Sequence, residues 1–165
     1  EAGHARRFAE ELKGRYSFPI EPLESVEAAV RGADLIVTAT TASRPILERD
    51  WISPGAHLNV VGSSIPTTRE VDTATMAAAK LFVDRRESTL NEGGDYLFAM
   101  REGAIGPDHI LAEIGELLID KHPGRTSPDQ ITLFKSLGLA IEDLASAAYL
   151  FAKAQSSQAG TWVEF

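Results

Sequence analysis

The residues best placed to do chemistry run from His57 to Asp72. A short apolar run, His57-Leu58-Asn59-Val60-Val61, ends in Gly62, passes through Ser63, Ser64 and Pro66, and reaches Asp72 ahead of an alanine-rich stretch. The apolar run reads as a strand, the glycine and small hydroxyl residues as an exposed turn, and Asp72 as a helix N-cap. In an open parallel sheet ligands sit at the carboxyl ends of the strands, so Gly62 to Pro66 is expected to line a pocket. A serine there can orient water or pass a proton. It cannot be a general base unaided, because its hydroxyl has no charged form near neutral pH. The plain alternative is that Ser63 and Ser64 close the turn on its own backbone.

Other polar groups stand at similar junctions. Thr38-Ala39-Thr40 ends an apolar run, and Phe134-Lys135-Ser136-Leu137-Gly138 joins a strand to a helix. In the second, Ser136 is a candidate cap and Lys135 reads as a solvated charge. Gly93-Gly94-Asp95 reads as a breaker followed by an N-cap. Glu113 and Glu116 share a helix face as an acid and base could, but capping or solvated carboxylates are far commoner. His57 at a strand start and His122 beside Pro123 read as structural, while His4 and His109 fall on exposed faces. With no cysteine and no ligand spacing among four histidines, disulfides and thiolate metal sites are excluded and no metal site is expected.

The elements that must position these residues alternate. His4 to Lys13 carries Ala5, Phe8, Ala9 and Leu12 on one stripe and predicts a helix. Tyr16 to Ile20 reads as a short strand, and Pro22 as the start of a helix that Gly32 stops. Asp34 to Thr38 is apolar enough for a strand covered on both faces. Ala39 to Trp51 is a connection, with Trp51 plugging the core edge. His57 to Val61, the Asp72-capped helix to Ala79 and Lys80 to Val83 continue the alternation, which implies a parallel sheet with right-handed crossovers. Helices are expected at Tyr96–Glu102 and Asp108–Ile119, a loop at Lys121–Asp129 and a last strand at Ile131–Phe134. A long amphipathic helix from Leu137 to about Ala154 follows, then an irregular tail from Gln155 in which Trp162 could serve a subunit contact.

The 165 residues, 44% hydrophobic, suffice for one substantial core. A net charge of −8 weighs against nucleic acid, which needs a clustered basic face. No apolar run approaches the roughly 20 residues that span a bilayer, so no membrane partner is expected and cytoplasm is the default.

Four segments together carry a resemblance: Ala33-Asp34-Leu35-Ile36-Val37-Thr38-Ala39-Thr40, Asn59-Val60-Val61-Gly62, Asn91-Glu92-Gly93-Gly94-Asp95 and Thr132 to Asp143. In order and spacing, with Ala112 to Glu116 and Pro123-Gly124-Arg125 between them, they resemble the ornithine cyclodeaminase and mu-crystallin family from about Ala2 to Lys153. The resemblance implies an α/β fold, a partial Rossmann-like parallel sheet with flanking helices. Residues 1–130 would form part of an NAD(P)-binding domain. Residues 131–165 would supply a strand, a long helix and a tail returning to a substrate and dimerisation domain. Glu1 falls about where the family completes its second strand, so the chain is expected to belong to a longer protein whose glycine-rich phosphate loop lies outside it. In the strand order 3-2-1-4-5-6, Tyr16–Ile20 and Asp34–Thr38 would then show unpaired edges, and the long helix would expose an apolar stripe.

For the site, the resemblance implies NAD or NADP contacted by Thr38, Ala39, Thr40, Val61, Gly62, Ser63, Lys135, Ser136 and Gly138, with Ser64 as the catalytic position. The family's cyclodeaminases carry an acidic residue where this chain has Ser64, so the likeness is nearer to the mu-crystallin-like ketimine reductases. It implies NAD(P)H-dependent reduction of cyclic imino acids, or a related amino-acid dehydrogenase, by a homodimer. Ornithine cyclodeaminase activity and non-catalytic binding of a small ligand are the alternatives.

Overall fold

A computed structural model describes residues 2–163. In chain order the elements are α1 (Ala2–Glu11), α2 (Val26–Val30), β1 (Leu35–Thr38), β2 (His57–Val60), α3 (Thr73–Ala78), β3 (Lys80–Val83), α4 (Arg86–Glu92), α5 (Gly94–Arg101), β4 (Ile110–Glu113), α6 (Ile114–Leu118), β5 (Thr132–Lys135) and α7 (Ala140–Ser157). The strands form one sheet in the order β1-β2-β5-β3-β4, parallel throughout. The expected α/β class holds. β5, last in the chain, inserts at the centre, and its Leu133 is fully buried between Leu58 and Leu81.

The core forms where inward strand residues meet helices. Leu58, Val60, Leu81, Val83 and Leu133 pack with Met76 of α3 and Tyr96 of α5, and Trp51 is half-buried against them. Asp72 caps α3 as expected, accepting from Thr75 N at 2.9 Å. Arg125 ties the loops together at the opposite end of the sheet: its guanidinium donates to the carbonyls of Gly55 and Gln130 and to Thr132 Oγ1.

Several expectations fail for identifiable reasons. Tyr16–Ile20 forms no strand: among the described residues it pairs with no neighbour, and Tyr16 and Phe18 simply stack at 5.2 Å. The helix expected at Pro22 starts at Val26, because Ser25 Oγ accepts from Ala28 N at 3.1 Å and supplies a cap that proline cannot. Asp108–Ile119 divides into β4 and α6, since Ile110 and Ala112 alternate inward beside β3. α4 is a helix that the apolar pattern did not announce. α7 starts three residues later than expected and runs on through Ser157, closing at Gln158 in the left-handed region (φ 52°).

β1 is an edge strand. Ile36 and Thr38 face inward, but Leu35 and Val37 are each 60% exposed, so the two-faced cover suggested by its composition is not met within this chain. α7 is more open still: Ile141, Leu144, Leu150 and Phe151 are 57–64% exposed, and Trp162 folds back edge-on to Phe151. The expected apolar stripe is there.

Candidate functional site

Thr38, Val60 and Lys135 are register partners, so β1, β2 and β5 end at one level. The ladder continues one residue further, through Val61 N to Thr38 O and Ser136 N to Val60 O. The turns that begin at Ala39, Gly62 and Ser136 therefore leave the sheet side by side. The turn after Val61 lies where the sequence placed it, at the carboxyl rim.

Gly62 is required by space. A Cβ there would lie 2.2 Å from Thr40 O and 2.3 Å from Glu70 Oε1. The contact joins the turns after β1 and β2, and Glu70, which is fully buried, binds both. Its Oε1 accepts from Thr40 N (2.6 Å) and Thr40 Oγ1 (2.8 Å), while Oε2 accepts from Thr38 Oγ1 and Gly62 N (both 2.8 Å). Four donors on one buried carboxylate compensate its desolvation.

Beneath it lies a second buried charge system. Asp95 Oδ1 accepts from the main-chain N–H groups of Glu70 (2.7 Å) and Val71 (3.0 Å), and Oδ2 lies 3.2 Å from Lys135 Nζ, both side chains being wholly buried. Asp95 is therefore no N-cap, and Lys135 is no solvated charge. The sequence reading missed this because the two residues are forty positions apart. Gly94 beside Asp95 also answers to space: a Cβ there would meet Thr68 O at 1.9 Å.

Ser63 takes the plain role. Buried, it donates to Thr68 O at 2.5 Å and closes the loop, which Arg101 also holds by donating to Pro66 O at 3.0 Å. Ser64 is exposed at the top of that loop. Ser136 does not cap α7, whose N-cap is Leu139. It turns to Asp84, whose Oδ2 accepts from Leu137 N (2.6 Å), Gly138 N (2.8 Å) and Ser136 Oγ (3.4 Å). Gly138 adopts φ 86°, which a side chain would strain.

The remaining candidates are structural. Glu116 is held down at about 2, first by the Glu113 N–H and then by Lys121 and Arg86, so it closes the start of α6. Burial lowers the pKa of His57, against a smaller opposing effect of Asn59, and its Nδ1 lies 2.7 Å from Thr132 Oγ1 at the amino end of the sheet. His122 packs edge-on to Phe82 and accepts from Gly124 N. His109 is half-buried on Met76 O, not on an exposed face.

Glu70 and Asp84 are the organising residues that sequence reasoning passed over. Asp84 carried a signal, an acidic residue at a strand's carboxyl end. Glu70, in an irregular connection, carried none. With their donors occupied from below, the turns 39–42 and 61–65 present neutral residues outward: Ala39, Thr40, Val61, Ser64 and Ile65 are exposed and none is ionisable. Such a rim suits a flat, partly apolar ring and has no strong acid or base of its own.

The sequence profile of the ornithine cyclodeaminase/mu-crystallin family matches residues 2–158. Ketimine reductase mu-crystallin of Mus musculus is 42% identical over 148 residues, 90% of this chain and 43% of that protein. Among solved structures, Thermococcus litoralis Δ1-pyrroline-2-carboxylate reductase in complex with NADH and L-proline superposes with a TM-score of 0.93 at 40% identity, covering 99% of this chain and 50% of that one. An archaeal alanine dehydrogenase dimer with bound NAD follows at 0.86 and 31%, covering 99% and 50%. The chain thus spans about half the length of the relatives it matches.

Proposed function

Since the chain belongs to the ornithine cyclodeaminase/mu-crystallin family, we propose that it forms the nicotinamide-facing part of an NAD(P)H-dependent reductase of cyclic imino acids. The observation that carries this reading is the neutral rim: Ser64 stands on the exposed turn after β2, where a deaminating enzyme of the family has an acidic residue. A cyclic imine is already substantially protonated near neutral pH, so the site must position and dehydrate its ligands more than it must supply an acid.

When bound, the cofactor supplies a hydride from the nicotinamide C4 to the imine carbon. Ala39 and Thr40 offer small side chains against which a ribose can approach the backbone. Val61 and Gly62 would hold the nicotinamide from the turn after β2, with Ser63 fixing its loop from below. Ser64 Oγ orients water or passes a proton at the open face. Ser136 and Gly138 would hold the nicotinamide from the turn after β5, with Lys135 supporting the rim from beneath, through Asp95. The small neutral donor set fits a nicotinamide.

Purified protein of natural length should consume NAD(P)H with pyrroline-2-carboxylate or piperideine-2-carboxylate and release no ammonia from ornithine. Ammonia release without reductase activity would favour the cyclodeaminase reading, and cofactor binding with neither activity a binding protein. The same proposal includes a homodimer in which α7 packs on the substrate and dimerisation domain, and a cytoplasmic location. Sedimentation of the purified protein tests the first, and no described helix is long and apolar enough to cross a membrane.

A further inference from the structure

Glu70 lies under the proposed site without reaching its surface, and its bonding is symmetrical in an unusual way. One carboxylate oxygen serves the turn after β1 through Thr40. The other serves Gly62 after β2, together with Thr38. Only an ionised carboxylate presents acceptors, and no donor, on both atoms. The residue cannot shift to follow a displaced turn, because its main chain is held on both sides: N donates to Asp95 Oδ1, and O accepts from Ile46 N (2.8 Å) and Leu47 N (3.1 Å). Asp95 is anchored in turn by the ion pair to Lys135, at the end of the central strand.

We infer that Glu70 is a positioning residue: its buried carboxylate ties the turn after β1 to the turn after β2 and sets the spacing at which the rim grips a nicotinamide cofactor. The inference rests on the proposed function in one respect, that the rim faces the cofactor. A glutamine at position 70 keeps one acceptor oxygen and turns an amide N–H₂ toward the other pair of donors. One turn is then released while the volume of the side chain is kept.

The test uses protein of natural length, with NADH and NADPH as probes. In Glu70→Gln, amide hydrogen exchange at Thr40 or Gly62 should accelerate by about tenfold, the loss of one net hydrogen bond. The dissociation constant and KM for the cofactor should rise by about tenfold, the loss of about one net hydrogen bond holding the rim, while kcat at saturating cofactor changes less than about threefold. Thr38→Val, which deletes one of the four bonds and keeps the carboxylate, should show the same pattern at about threefold, and it decides the matter if Glu70→Gln does not fold. Folded variants with unaltered exchange would overturn the inference, as would accelerated exchange with an unaltered cofactor dissociation constant. A protein whose cofactor affinity depends on Glu70 but which reduces no imine would overturn the functional reading alone. One that binds neither NADH nor NADPH would overturn both.

Discussion

The two sides of the carboxyl rim solve one problem with different reach. Glu70 closes the side formed by β1 and β2, and Asp84 closes the side formed by β3 and β5. Asp84 is the residue directly after its strand. It holds its own following N–H, Arg85 N at 2.7 Å, and the start of one neighbouring turn. Glu70 comes from an irregular connection eight residues beyond Gly62 and satisfies two turns at once, with no part of it exposed. The lesson is that where a turn must stay open to a ligand, its polar groups are satisfied from underneath, by a residue that is not part of the turn.

The contrast can be broken experimentally. The largest effect should come from Lys135→Met, which removes the counter-charge of Asp95 and should cost about 3–5 kcal/mol in urea unfolding, as loss of one partner of a buried pair does. Adding Asp95→Asn should recover part of it. The two rim glycines should separate next. Gly62→Ala should cost at least about 3 kcal/mol, because the added carbon meets backbone and carboxylate atoms that have no room to move. Gly138→Ala, in open space but at φ 86°, should cost only ~1–2 kcal/mol of backbone strain. Equal costs would mean that the two turns are equally packed.

Asp84→Asn should lose about 1–3 kcal/mol by turning an amide either toward Arg85 N or toward the paired Leu137 and Gly138 N–H groups. It should leave amide exchange at Thr40 and Gly62 unaltered, which separates the two carboxylates. The smallest effect is a slope with pH. His57 is held below its ordinary value of 6.5, so the unfolded chain takes up the proton first. Stability should therefore decline slightly as pH falls through 6.5 toward the lowered native value, and His57→Gln should flatten that slope in thermal melts recorded between these limits.

Much of this was legible in the chain. The apolar runs at Leu35–Thr38, His57–Val60 and Lys80–Val83, the Asp72 cap and the turn after Val61 each depend on neighbours within a few residues. The misreadings share a cause. Tyr16–Ile20 has the composition of a strand but no partner among the described residues. Ile110–Glu113 has a pattern that a helix also fits, and only its long-range pairing with β3 makes it a strand. Ser136 looked like a cap until Asp84, fifty-two residues earlier, claimed it.

The sequence by itself determined most of the alternation of strands and helices and the place of the rim turn, because side-chain period and capping are local properties of the chain, while its quoted motifs carried the resemblance to the family. Only the tertiary structure decided that β5 sits at the centre of the sheet and that Asp95 and Lys135 neutralise each other out of water. It alone also decided that Glu70 holds two turns at once. Burial of a charge depends on which distant groups arrive to meet it, and separation along the chain does not reveal that.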